Sequence, residues 1–258
     1  MSRIDDAQIV RIFDDPEAVA RAAAEQFARL SKESVAERGT FSVALSGGTT
    51  PRRVYELLAS DELRGRVPWK AVHVFFGDER TVPPDHAESN YRMANEALLS
   101  RVNLPAENVH RIEGLGDAAA NAGAYESVMR GYFGDAQWPR FDLIFLGMGD
   151  DGHTASLFPG TAALEESRAW VAQNWVEKFS TWRITLTAPA INNAGRVLFL
   201  VTGASKAERL NEVVKGERDP SRLPSQMIRP REGAVEWYVD RAAAAKLVGN
   251  APNSVPPV

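Results

Sequence analysis

Short blocks rich in apolar residues, continuous over Leu143–Leu146, run the length of the chain, separated by longer stretches in which apolar residues recur every three or four positions. The first kind of block suits a strand covered on both faces, the second an amphipathic helix. Residues 9–13, Phe41–Leu45, Val72–Phe76, Leu143–Leu146, 197–201 and 236–239 are therefore predicted strands. A helix is predicted after Asp15-Pro16, where proline suits the first turn and Val19, Ala23, Phe27 and Leu30 share a face. Further helices are predicted after Pro51 (Val54, Leu57, Leu58), after Ser89-Asn90 (Met93, Ala97, Leu98), over Ala118–Phe133, over 207–214 and in the alanine-rich stretch after Val239. Residues 109–112 read as one more short strand, 183–187 alternate like a half-buried strand, and 168–176 are mixed strand and loop. Residues 81–88 and 217–231 read as loops, and Pro83-Pro84 forbids helix in the first of them. Strand and helix alternate without an internal repeat or a linker-like stretch. This predicts one doubly wound α/β domain over residues 1–249, with a mostly parallel sheet and helices on both faces. Residues 250–258 are expected to form a disordered tail.

Composition narrows the functional class. A hydrophobic fraction of 44% and a charged fraction of 25% over 258 residues are those of a soluble globular protein with an ample core. Thirty Lys and Arg against 34 Asp and Glu, a net charge of −4, argue against general affinity for nucleic acid or anionic membrane, while leaving room for a local basic pocket. The chain has no cysteine, which excludes disulfides, thiol nucleophiles and thiolate metal sites. Residues 1–6 hold no apolar signal core and no run approaches transmembrane length, so a cytoplasmic protein is expected.

The chemistry collects where strands end. Leu143–Leu146 runs into Gly147-Met148-Gly149-Asp150-Asp151-Gly152-His153, three glycines and two aspartates followed by one of only four histidines in the chain. Phe41–Leu45 runs into Ser46-Gly47-Gly48-Thr49-Thr50-Pro51 just before a helix, an arrangement that offers free N–H groups and a positive helix end to an anion. A compact turn with Thr49 or Thr50 as N-cap accounts for the same residues, which lack the lysine of a P-loop. Val72–Phe76 ends in Gly77-Asp78-Glu79-Arg80, either a solvated charged loop or a place for a guanidinium to meet a phosphate. Strand 197–201 ends in Thr202-Gly203-Ala204-Ser205-Lys206, where a cation in the first helical turn opposes the helix dipole unless an anion offsets it. In a parallel sheet these four strand ends lie on one edge, bringing anion-binding groups beside a titratable base.

Taken together, Ser46–Pro51 as quoted, Gly77-Asp78-Glu79-Arg80, Ser89-Asn90-Tyr91, the run from Gly147 through His153 to Thr154-Ala155-Ser156-Leu157-Phe158-Pro159-Gly160, Arg183-Ile184-Thr185, and Gly203-Ala204-Ser205-Lys206 resemble the 6-phosphogluconolactonase family over nearly the whole chain. The fourth block is the specific one. The related glucosamine-6-phosphate deaminases carry Asp-Glu-Tyr in place of Asp78-Glu79-Arg80, and a glutamate where this chain has Phe158. The resemblance implies hydrolysis of 6-phospho-D-glucono-1,5-lactone to 6-phospho-D-gluconate in the oxidative pentose phosphate pathway.

On that resemblance His153 is the general base that draws a proton from water, since an imidazole's ordinary pKa of about 6.5 suits the task. Asp151 either orients the imidazole or orders the turn. Ser46, Gly47, Gly48, Thr49, Asp78, Arg80, Arg183 and Lys206 are the expected substrate and phosphate contacts, with a structural ion pair the other account of Arg183. A serine nucleophile, Ser46 or Ser156, is the mechanistic rival, although neither lies in a Gly-x-Ser-x-Gly elbow. No cofactor and no metal are expected: His73, His86 and His110 show no ligand spacing, and nothing in the chemistry requires the cation that Asp142, Asp150 and Asp78 would in principle attract. The expected partner is a small phosphorylated sugar lactone, with neither nucleic acid nor membrane, and the chain is expected to be a monomer or weak homodimer. A sugar-phosphate-sensing regulator is the non-enzyme alternative, but too few residues follow the last strand for a helix-turn-helix segment.

Overall fold

In the computed structural model, which describes residues 8–247, nine strands and six helices follow one another along the chain. β1 (Gln8–Phe13) leads to α1 (Pro16–Arg38), which starts where the Asp15 carboxylate accepts the Ala18 N–H at 2.8 Å and stops at Gly39 in the left-handed region. β2 (Phe41–Leu45), α2 (Thr49–Leu58), β3 (Val72–Phe76), β4 (Asp78–Arg80) and α3 (Asn90–Ala97) follow. Then come α4 (Ala118–Phe133), β5 (Leu143–Leu146), β6 (Val171–Val176), β7 (Thr181–Leu186), the single turn α5 (Ala188–Ile191), β8 (Arg196–Val201), α6 (Ala207–Lys215) and β9 (Ala234–Asp240).

Six strands form one parallel sheet in the order β1-β9-β8-β5-β2-β3. β2 and β5 are buried at every position, as the continuous apolar run of β5 and the nearly continuous one of β2 require. The chain steps outward from β2 to β3 and then returns to β5 on the other side of β2, so the direction of winding reverses between β2 and β5. In an open α/β sheet that reversal opens a crevice at the carboxyl ends of the strands. Phe27 of α1 packs edge-on against Phe41 and face-on against Phe145, fastening the helix over this point. The remaining strands make a separate antiparallel sheet, β4-β7-β6, hung from the end of β3, where the Leu186 N–H donates to the Gly77 carbonyl at 2.8 Å.

The α/β architecture matches the expectation, and several details differ. Asp78-Glu79-Arg80 is a strand, not a solvated loop: Asp78 and Glu79 are buried, and their carboxylates are satisfied by donors from the start of α3 and from Ser156. Residues 109–112 are not a strand, because only Val109 bridges to Val74 before the chain turns away. Residues 241–247 make turns in place of the predicted helix. The Asp240 side chain takes the Ala243 and Gly203 N–H groups, tying the end of β9 to the loop after β8. The mixed stretch 168–176 contains β6, which pairs with β7 as a hairpin. The tail expected over 250–258 lies outside the described residues. Among the described residues no helix is long and apolar enough to cross a membrane.

Candidate active site

The loop after β5 is wound tightly on itself. The Gly149 N–H donates to the His153 carbonyl at 2.9 Å and the Gly152 N–H to the Gly149 carbonyl at 3.1 Å. A Cβ on Gly149 would stand 2.0 Å from His153 Nδ1 and 2.8 Å from Asp151 Oδ1, so only glycine lets the backbone pass this close to the imidazole. Within the loop Asp151 Oδ1 lies 2.5 Å from His153 Nδ1 and also accepts the His153 backbone N–H at 3.2 Å. The aspartate thus takes both roles open to it in the sequence, ordering the turn and orienting the ring. Its other oxygen pairs with Lys178 Nζ at 3.2 Å. Burial alone would raise the Asp151 carboxyl, but the hydrogen bond and charge of His153, joined by Lys178, hold it well below the usual carboxylate range. The Phe158 ring stacks on the imidazole, with centroids 3.9 Å apart.

The groups expected to bind an anion lie around this dyad. Gly48, at φ 106°, caps α2 with no side-chain hydrogen bond, so neither Thr49 nor Thr50 serves as the expected N-cap. No acidic residue occupies the first turn of α2, and Gly48, Thr49 and Thr50 at its start line the same cavity as Arg80 and Lys206. Tyr55 latches the loop from behind: its hydroxyl accepts the Ser46 N–H at 3.0 Å and donates to the Ser46 carbonyl at 2.8 Å. Across the crevice Arg80 stands directly opposite Arg183 in the β4–β7 ladder. Two like charges in that register repel. Arg183 Nε and Nη1 are buried without a hydrogen-bond partner, and burial together with the Arg80 charge pushes the Arg183 pKa down. The ion pair considered for Arg183 is absent among the described residues, and its guanidinium lies over the Phe179 ring at 5.6 Å. Lys206, just before α6, is bonded to Asp150, and that hydrogen bond lowers the Asp150 pKa.

Ser46, Gly47, Gly48, Thr49, Asp78, Arg80, His153 and Lys206 share the wall of one cavity of about 250 Å³. Asp151 stands behind His153, and Arg183 stands beside Arg80 without lining that cavity. Asn90, Thr50 and Thr202 also line the wall, and the sequence reading did not count them among the substrate contacts. Asn90 Nδ2 donates to the Asp78 backbone carbonyl at 2.9 Å and to its carboxylate at 3.2 Å, and the two threonine hydroxyls meet at 2.9 Å across the crevice. The signals for Asn90 were its place at the start of a predicted helix and the Ser89-Asn90-Tyr91 block of the resemblance. Neither serine of the rival mechanism touches an imidazole. Ser156 Oγ donates to Asp78 at 2.6 Å, and Ser46 Oγ donates to the Gly47 carbonyl at 3.3 Å. Asp142 bonds the Ser42 N–H and Arg38, far from Asp78 and Asp150, and the described residues hold no group of three or more ligands suited to a metal ion. His73 and His110, far apart in sequence, meet ring to ring with Nδ1 and Nε2 3.2 Å apart.

Residues 14–237 match the family model described as glucosamine-6-phosphate isomerases/6-phosphogluconolactonase. A curated 6-phosphogluconolactonase of Nostoc sp. is 43% identical over 217 residues, covering 83% of this chain and 88% of its own. The 6-phosphogluconolactonase of Trypanosoma cruzi superimposes with a TM-score of 0.84 at 32% identity, covering 93% of this chain and 97% of its own. A monomeric glucosamine-6-phosphate deaminase superimposes with a TM-score of 0.77 at 21% identity, covering 92% of this chain and 99% of its own, a likeness of fold. With the family model matched over residues 14–237 and a relative 43% identical over most of both chains, the chain belongs to the glucosamine-6-phosphate isomerase/6-phosphogluconolactonase family.

Proposed function

We propose that the chain is a 6-phosphogluconolactonase, hydrolysing 6-phospho-D-glucono-1,5-lactone to 6-phospho-D-gluconate. The observation that carries this reading is His153, backed by Asp151, on the wall of the cavity that also holds the α2 N-terminus, Arg80 and Lys206. The curated relatives bear the same activity in their names.

With Nδ1 engaged by Asp151, the imidazole keeps Nε2 for proton transfer. His153 takes a proton from a water as its oxygen bonds to the lactone carbonyl carbon. The tetrahedral intermediate collapses by breaking the bond to the ring oxygen, which receives that proton from the imidazolium. Water is consumed, and a carboxylic acid and a hydroxyl are formed. The phosphate is held by the free N–H groups at the α2 N-terminus and by Arg80, with Lys206 turning from Asp150 toward the dianion and Arg183 supplying charge from behind Arg80. Asp78, fixed by Ser156 and Asn90, faces the cavity as an acceptor for sugar hydroxyls. The deaminase reading is disfavoured at Phe158: an apolar ring covers the imidazole where those enzymes place a carboxylate.

The test is a coupled assay in which glucose-6-phosphate dehydrogenase generates the lactone and its disappearance is followed above the spontaneous rate. The chain is expected to accelerate that disappearance and to release no ammonia from glucosamine 6-phosphate. The reverse outcome would assign it to the deaminases.

A further inference from the structure

The β6–β7 hairpin enters the reaction as just described only through Arg183, yet its tip reaches the dyad. Lys178, in the turn between the two strands, places Nζ 3.2 Å from Asp151 Oδ2, across 27 residues of sequence. Asp151 divides its carboxylate cleanly: Oδ1 to the imidazole and the His153 N–H, Oδ2 to the lysine. The neighbouring Phe179 meets Phe158 edge-on at 5.9 Å, and Phe158 stacks on His153, so the tip touches the imidazole's two supports, one polar and one apolar.

The tip is also shaped to do this. Ser180 sits at φ 45°, a left-handed conformation that a non-glycine residue adopts at a cost, and closes the turn by donating its N–H to the Glu177 carbonyl at 3.0 Å. Trp175 Nε1 donates to Glu177 Oε2 at 2.7 Å, and the Trp175 and Trp182 rings meet at 5.4 Å, bracing the two strands beneath. Stability does not call for such an arrangement, because the lysine side chain is 59% exposed and an exposed ion pair contributes little to folding.

We infer that Lys178 is a positioning residue for lactone hydrolysis: it holds the Asp151 carboxylate in the rotamer that orients His153. The inference rests on the general-base reading of His153. The other charges around the dyad leave this role to Lys178. Lys206 is bonded to Asp150, Arg209 donates to the Asp150 carbonyl, Asp78 and Arg80 line the far wall, and Arg183 is screened from the imidazole by Phe179 and Phe158. Without the lysine Oδ2 loses its anchor and the Asp151 charge is no longer shared. The imidazolium is then favoured over the free base, and the ring gains freedom to turn.

The test compares Lys178→Met and Lys178→Arg with the parent chain over the acid limb of the pH–rate profile, with thermal melts to confirm folding and His153→Ala alongside. Lys178→Met is expected to lower kcat about fivefold, corresponding to the roughly 1 kcal/mol of an exposed pair, with KM changed less than about twofold. Its acid limb should move to higher pH, and Lys178→Arg should restore both rate and limb. A Lys178→Met profile that superimposes on the parent's would overturn the inference while His153→Ala still abolishes activity. If His153→Ala retains full rate, the general-base reading falls and this inference falls with it.

Discussion

His153 has one ring nitrogen bound to Asp151 and a phenyl ring on its face, whereas His73 and His110 lie against each other beneath Tyr132 and Phe75. The three imidazoles therefore do different work. Burial pushes the His73 pKa down, and burial with the His73 charge pushes His110 down to about 4. A histidine whose folded pKa lies below its unfolded value costs nothing where both states are neutral, above about pH 6.5. As pH falls from there toward 4, the unfolded chain takes up protons that the folded chain refuses, and stability is lost. The urea midpoint should therefore drop between pH 7 and pH 4.5, and drop less steeply in His110→Phe, which keeps the ring stacked on Phe75. Parallel slopes in the two proteins would rule the pair out as the cause.

Among the elements, β4 is the one whose three residues matter most. Glu79 accepts the N–H groups of Arg80, Asn90 and Tyr91 at 2.8 Å each and the Ser89 hydroxyl at 3.1 Å, so a buried carboxylate locks the strand to the start of α3. That lock sets Asn90 against Asp78 and aims Arg80 at the cavity. Arg80→Ala should raise KM for the phosphorylated lactone about tenfold or more, the loss expected for hydrogen bonds to a charged group, and leave unphosphorylated gluconolactone nearly unchanged. Equal effects on both substrates would remove Arg80 from the phosphate site. The sequence made β2, β3, β5 and β8 plain because they are mostly apolar, as strands of a sheet covered on both faces are. It hid β4 for the opposite reason. Three charged residues read as solvated unless the donors that satisfy them are known, and those donors lie in α3 and at Ser156. The hairpin tip was hidden too, since no local pattern announces that Lys178 will meet an aspartate 27 positions away.

At the scale of the whole molecule, the function follows from where the winding reverses. β8, β5, β2 and β3 are neighbours in the sheet, and their carboxyl ends deliver Lys206, the His153 loop, the α2 N-terminus and, through β4, Arg80 to one crevice. That convergence was legible from the alternation of strands and helices alone, because a parallel sheet has one carboxyl edge. The second sheet was not legible as a layer of its own, and it contributes the arginine pair and the brace on the dyad. A net charge of −4 over a site built from anion-binding groups also shows that bulk charge says little about a local pocket. If this crevice hydrolyses the lactone with His153 as base, kcat for lactone disappearance above the spontaneous rate should fall at least about a hundredfold from the parent chain to a folded His153→Ala variant, the usual share of general-base catalysis. A folded variant within about threefold of the parent would show that His153 is not the base.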